Sequence, residues 1–155
     1  NFLKNKFKKL DYKKINNINL HTQEISNFSA IIAKKSDIRK ILKNFQIAFV
    51  KKNKNCCIEG RDIATKILPN SNLKFFFKCN LNVAAYRRFK ELRKRDNKIK
   101  LKDVKKALRI RNNHDLKRKN SPLKKHRNAI EIPTDKLNKQ EMLKKMSKHV
   151  TKFLK

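Results

Sequence analysis

A chain of 155 residues is long enough for one domain with its own core, and no stretch of it is apolar enough to span a membrane. Its 44 Lys and Arg against 12 Asp and Glu give a formal charge of +32, which favours phosphate-bearing partners. Lys far outnumbers Arg, however, and no Arg-rich or aromatic-interleaved strip forms a nucleic-acid motif, which weakens a specific nucleic-acid reading.

Abundant Lys, Asn, Ile and Phe beside a single Gly and no Trp fit the codon bias of an AT-rich genome. On that reading the charge speaks to solubility and diffuse phosphate attraction, not to fold. The chain begins with Asn1, and Lys4, Lys6, Lys8 and Lys9 follow without the apolar run of a secretory signal, so a trimmed start and a cytoplasmic protein are expected.

Residues 1–20 alternate loosely, with Phe7, Leu10, Ile15, Ile18 and Leu20 separated by Lys and Asn, and read as a weak hairpin or irregular lobe. From Gln23 the spacing turns helical. Ile25, Phe28, Ile31 and Ile32 share one face, and Ser36 with Asp37 offers a cap before a second helix carrying Ile38, Ile41, Leu42, Phe45 and Phe49. A polar link from Lys51 to Asn55 leads into a short apolar run, Cys56 to Glu59, read as a buried strand. With no CxxC spacing or Cys/His cluster, Cys56, Cys57 and Cys79 are expected as reduced, buried thiols, and no metal site is expected.

Gly60, the one glycine, then lets the chain turn so that Arg61 and Asp62 face a cleft. A second strand reads at Leu73 to Phe77, framed by Pro69-Asn70-Ser71-Asn72 and Asn80. Val83, Ala84, Tyr86, Phe89 and Leu92 suit a helix capped by Asn80 or Asn82. A further helix starts near Leu101 and runs into the charged stretch Arg109 to Arg118. Ala129 to Ile132 is a third strand, stopped by Pro133. The last helix opens with a capping-box pair, Asn138 and Glu141, and Met142, Met146, Val150 and Phe153 recur on it at core spacing. Strands alternating with helices predict an α/β fold with a parallel sheet and flanking helices.

Two constellations could carry chemistry. Arg61 beside Asp62 puts a donor fork next to an acceptor, although a surface turn with an incidental ion pair would look the same. Arg111, Asp115 and Arg118, if helical, share one face, so that two guanidinium forks flank a carboxylate in a way that suits a phosphate. A solvated charged helix is the competing reading. Arg87 and Arg88 form a further pair on the helix after the second strand.

In order, a helix pair after HTQEISN, then IEGRDIAT, LPNSNLKFFFKC, AAYRRFKEL, RIRNNHDLKRKNSPLK, AIEIPT and a closing helix resemble the bacterial cytidylate kinases. The resemblance runs from about Leu20 to the C-terminus. It implies a P-loop NTPase-like nucleoside monophosphate kinase. Residues 1–22 would be a remnant of the small inserted β lobe, and residues 23–155 a core α/β domain with a short lid at about 109–124.

The implied roles are specific. Arg39 and Asp62 would read cytosine, whose exocyclic amine suits Asp62 where uracil would turn an acceptor toward it. Ser29 is a further candidate for contact with the base. Arg61 and Arg118 would hold the phosphate of CMP or dCMP, and Arg111 would stand near the transferred phosphoryl group. Asp115 would lie near the ribose or orient an arginine, and Arg87 or Arg88 would meet ATP. Mg²⁺ would come with ATP, and a monomer is expected.

The chain also departs from the pattern. Ala64 stands where the family usually has a second Gly, and His114 and His21 replace usual polar or basic residues. Ser29-Ala30 reverses the usual order. With its one glycine at position 60, this sequence contains no Gly-x4-Gly-Lys-Ser/Thr phosphate loop. The resemblance therefore implies a fragment lacking the first strand and that loop, expected to be inactive alone. The competing reading, from a different class, is a basic RNA- or ribosome-binding protein.

Overall fold

The computed structural model describes residues 5, 9, 22–33, 35–53 and 55–154. Apart from Asn5 and Lys9, the lobe expected of residues 1–20 lies outside them. The chain divides into two compact units, Asn1–Cys57 and Ile58–Lys155.

The first unit carries two consecutive helices, as the periodicity predicts: α1, Gln23–Ile32, and α2, Ser36–Lys52. The Thr22 hydroxyl caps α1 by accepting from the Ile25 amide at 3.2 Å. On α2 the expected cap is displaced by one residue. Lys35 is the N-cap and makes no side-chain cap bond, while Ser36 and Asp37 fall in the first turn, where Asp37 complements the helix dipole. Asn53 closes α2 by donating from both its backbone amide and its side-chain amide to the Phe49 carbonyl, at 3.0 and 2.8 Å. The apolar stripe of α1 faces outward: Ile25, Phe28 and Ile31 are all exposed.

The second unit holds a parallel two-stranded sheet with three helices: β1, Phe75–Lys78; α3, Leu81–Arg93; α4, Leu101–Lys117; β2, Ile130–Pro133; and α5, Lys139–Leu154. Phe75 pairs with Ile130 and Lys78 with Pro133. The ladder is extended by Ile130 N donating to Lys74 O at 2.9 Å, and by Thr134 N to Lys78 O at 2.8 Å. Parallel strands need a long crossover, which α3 and α4 supply. Ala85 and Ile132 are wholly buried, and Leu92, Val104 and Ala129 complete the buried apolar core of the described residues. The small side chain of Ala85 lets backbones approach where the others fill volume.

The helix ends follow their sequence signals. Asn80 caps α3 by accepting from Asn82 N at 2.8 Å. Asn138 and Glu141 form a reciprocal capping box: Asn138 N donates to Glu141 Oε2 at 2.7 Å, and Glu141 N to Asn138 Oδ1 at 2.9 Å. On α5, Met142 and Met146 are half-buried as expected, but Val150 and Phe153 are exposed. His149 supplies a contact the periodicity did not flag, its ring meeting Phe75 of β1 edge-on with centroids 6.0 Å apart.

The expected first strand is not formed. Cys56 to Gly60 is irregular, and Cys56, Cys57 and also Cys79 are exposed free thiols instead of buried ones. A strand exists only where a neighbour pairs its backbone, and among the described residues the sheet has two strands, which pair with each other and not with this segment. The chain instead enters a short π-helical turn, Ile63–Ile67, in which Leu68 N donates to Ile63 O at 2.7 Å.

Gly60 is needed here for space and not for a left-handed backbone, since its φ is not positive. A Cβ at this position would lie 2.7 Å from Ile63 Cγ1 and 3.0 Å from Cδ1. Cγ1 stands next to the branch of a stiff side chain and cannot swing away freely. Gly60→Ala is therefore expected to destabilise the protein by about 1–3 kcal/mol in urea unfolding. Adding Ile63→Ala should make the two substitutions less than additive, and full additivity would sink this account.

Candidate active site

Arg61, the residue after that glycine, reaches α4. Its Nη1 lies 3.3 Å from Asp115 Oδ2 and donates to Asn112 Oδ1 at 3.5 Å. Asn112 and Asp115 are three apart on α4, so one helix face presents both to Arg61. Sequence reasoning missed Asn112. Its only signal was that i, i+3 relation to Asp115.

Arg118 approaches Asp115 from the other side. It was expected on the helix face with Arg111 and Asp115, but α4 ends at Lys117 and Arg118 is the extended C-cap. Leaving the helix lets its side chain fold back, and Nη1 donates to Asp115 Oδ1 at 3.2 Å. One carboxylate thus bridges two guanidiniums, each oxygen facing a different arginine. The Asp115 side chain is 14% exposed, those of Arg118 and Arg61 20% and 35%.

The loop after α4 is folded onto the same residues. Leu123 N donates to Asp115 O at 2.7 Å, and Arg118 Nε donates to the Ser121 carbonyl. Ser121 has φ of 54°, the one positive value among the described residues. A left-handed non-glycine residue costs on the order of 1–3 kcal/mol, and the following Pro122 makes φ > 0 still less favourable. The Ser-Pro-Leu segment is therefore a strained turn, held by bonds to Asp115 and Arg118.

The electrostatics leave a site for an anion. Burial pushes the Arg61 pKa below its ordinary value; Asp115 opposes this, while Arg111 and Arg118 add to it by repulsion. Two guanidiniums thus share one carboxylate, with Arg111 near enough to repel Arg61. Arg118 Nη2 is buried with no hydrogen-bond partner, and Asp115 Oδ2 makes none either, standing beside Arg61 as an ion pair only. A buried, unsatisfied guanidinium nitrogen costs free energy that an incoming phosphate oxygen would recover.

Asp62 lies at the start of the π-helical turn and is 8% exposed. Its carbonyl accepts from Lys66 N at 2.9 Å, which ties the residue in place through the backbone and independently of its carboxylate. Ser29 and Arg39 stand on α1 and α2 of the first unit, Ser29 exposed and Arg39 half-buried. Arg111 is exposed on α4.

The other arginine pair takes up different work. Arg87 Nη2 donates to the carbonyls of Thr134, Asp135 and Leu137 at 2.8, 3.3 and 2.9 Å, clamping the loop that follows β2. Asn80 N joins that loop by donating to Asp135 Oδ1 at 2.5 Å. Arg88 pairs with Glu91 at 2.8 Å. No group of three or more His, Cys, Asp or Glu side chains among the described residues stands close enough to hold a metal ion.

Against known proteins, the family described as Cytidylate kinase matches residues 3–152. The chain is 32% identical over 135 residues to a cytidylate kinase of Rickettsia conorii, covering 87% of this chain and 62% of that protein. It is 33% identical over 141 residues to one of Thermosipho melanesiensis, covering 91% and 64%. The chain thus spans somewhat under two thirds of the length of these relatives.

Proposed function

The chain belongs to the cytidylate kinase family, and from that premise we propose that the protein carrying it transfers the terminal phosphoryl group of ATP to CMP or dCMP. An oxygen of the monophosphate attacks the γ-phosphorus, the bond from that phosphorus to the β–γ bridging oxygen breaks, and ADP leaves with CDP or dCDP. The observation that carries this reading is the half-buried Arg61–Asp115–Arg118 bridge with Arg118 Nη2 unpartnered.

Phosphoryl transfer asks for positioning and charge neutralisation, not for a protein nucleophile. Asp115 holds two forks at a fixed separation, which lowers the entropy cost of seating the acceptor phosphate. Arg61 and Arg118 would grip that phosphate, and Arg111, on the same helix, would meet the charge developing on the transferred group. Asp62, in its buried turn, would accept from the cytosine amine, with Arg39 donating to the ring acceptors and Ser29 as a further base contact. Mg²⁺ bound to ATP would neutralise the donor phosphates. For Arg87 the three carbonyls it clamps favour a supporting role in the loop after β2, and Arg88 remains the candidate for a direct contact with ATP.

The competing RNA-binding reading rests on the +32 charge and draws no support from the family match. No described helix is long and apolar enough to cross a membrane, and we place the enzyme in the cytoplasm as a monomer. The deciding test is a coupled ADP-release assay on the complete protein with CMP, dCMP and UMP. Turnover of CMP and dCMP at least tenfold faster than UMP is expected. Absence of CMP turnover, together with tight RNA binding that weakens steeply with salt, would favour the other reading.

A further inference from the structure

Arg118 has three nitrogens, and the fold spends two of them. Nη1 is on Asp115 Oδ1, Nε is on the Ser121 carbonyl, and Nη2 is buried without a partner. Asp115 Oδ2 meanwhile makes no hydrogen bond. A guanidinium beside a carboxylate ordinarily settles into a bidentate pair, two parallel N–H···O bonds. Here it does not. Asp115 Oδ2 faces Arg61 Nη1 at 3.3 Å, and the tether on Nε further opposes the rotation that would bring Nη2 onto it.

The tether depends on a backbone state that Ser121 adopts against its own preference. Its φ of 54° directs the peptide carbonyl back to Arg118, and Leu123 N on Asp115 O fixes the far side of the turn. Resting on the cytidylate kinase reading above, we infer that Ser121 is a positioning residue. Its left-handed turn holds Arg118 in a one-bond contact with Asp115, so that Nη2 stays available to the acceptor phosphate. The residue acts through its backbone, and what matters at position 121 is tolerance of φ > 0, not the hydroxyl.

That distinction sets the experiment. Asn and Gly accept the left-handed region, whereas Val, branched at Cβ, resists it. In the complete protein, Ser121→Asn and Ser121→Gly should keep the wild-type KM for CMP within about threefold. Ser121→Val should raise it about tenfold, with kcat changed much less and with thermal stability equal to wild type or higher, because backbone strain is relieved. A turn that served stability alone would give the opposite pattern, lower stability at unchanged KM. The Arg118 Nε–H cross-peak in proton–nitrogen NMR, assigned by its loss in Arg118→Lys, provides a readout free of activity. It should exchange slowly with solvent in wild type and the Asn variant, and at least tenfold faster in the Val variant. Equal exchange and equal KM in the Val and Asn variants would overturn the inference. If the protein failed to use CMP at all, the functional reading would fall instead, and the exchange contrast would still decide whether Ser121 tethers Arg118.

Discussion

Arg118→Lys is expected to lower kcat/KM for CMP about 100-fold in the complete enzyme, a loss of ~2.7 kcal/mol in transition-state stabilisation. The size follows from the three directions in which Arg118 is pulled. Its planar fork serves the Ser121 carbonyl through Nε and Asp115 Oδ1 through Nη1, and on the proposed function its unpartnered Nη2 would serve the phosphate. An ammonium is a single centre at the end of a longer flexible stem, and it cannot meet three acceptors spread around a plane. Lysine nevertheless keeps the positive charge beside Asp115, so the half-buried carboxylate is not stranded and thermal unfolding should move by less than about 1 kcal/mol. Steady-state kinetics with a parallel melting curve separates the two effects. A change below threefold in kcat/KM would show that Nη2 does not meet substrate. A large fall in melting temperature would show instead that the bridge serves folding.

Asp62→Asn is expected to reduce the preference for CMP over UMP by roughly 10- to 100-fold, about 1.4–2.8 kcal/mol. Cytosine offers an amine where uracil offers a carbonyl oxygen, and a buried carboxylate can only accept. An asparagine amide can turn its NH₂ toward uracil, so the change relieves one mismatch while weakening the original match. Asp62 is 8% exposed, which makes an unmatched polar contact costly. The turn should survive the change, because it is the Asp62 carbonyl that receives Lys66 N. Competition between CMP and UMP in one assay measures the ratio directly. An unchanged ratio would remove Asp62 from base recognition and leave Arg39 as the candidate reader.

Much of the fold was legible because its signals are local. The 3.6-residue spacing on α1 and α2, the Asn80 cap of α3 and the Asn138–Glu141 box each lie within a few residues of sequence. The aromatic run of β1 and Pro133 at the end of β2 likewise marked the two strands that form. The misreading at Cys56 to Glu59 has the opposite cause. An apolar run of three residues, Cys56 to Ile58, fits a strand, but becomes one only if another backbone lies alongside it, and adjacent residues carry no information about that. The exposure of the Cys56 and Cys57 thiols goes with that unpaired segment.

By itself the sequence determined the order of the five helices and of the two strands that form among the described residues, the parallel α/β class and the family, along with the residue types from which a phosphate site could be built. Only the tertiary structure decided that Arg61 meets Asn112, 51 residues away, and that Asp115 is shared between two arginines. The same holds for Arg118 leaving its helix to turn back, for Arg87 clamping backbone carbonyls, and for Gly60 being required by its distance to Ile63 instead of by its φ. The physical reason is one of range. Propensities, caps and periodicity are energies of neighbouring residues, whereas a bridge between a turn and a distant helix depends on where packing puts two backbones. Even Ser121, three residues from Arg118, became visible only when its carbonyl was found on that arginine's Nε.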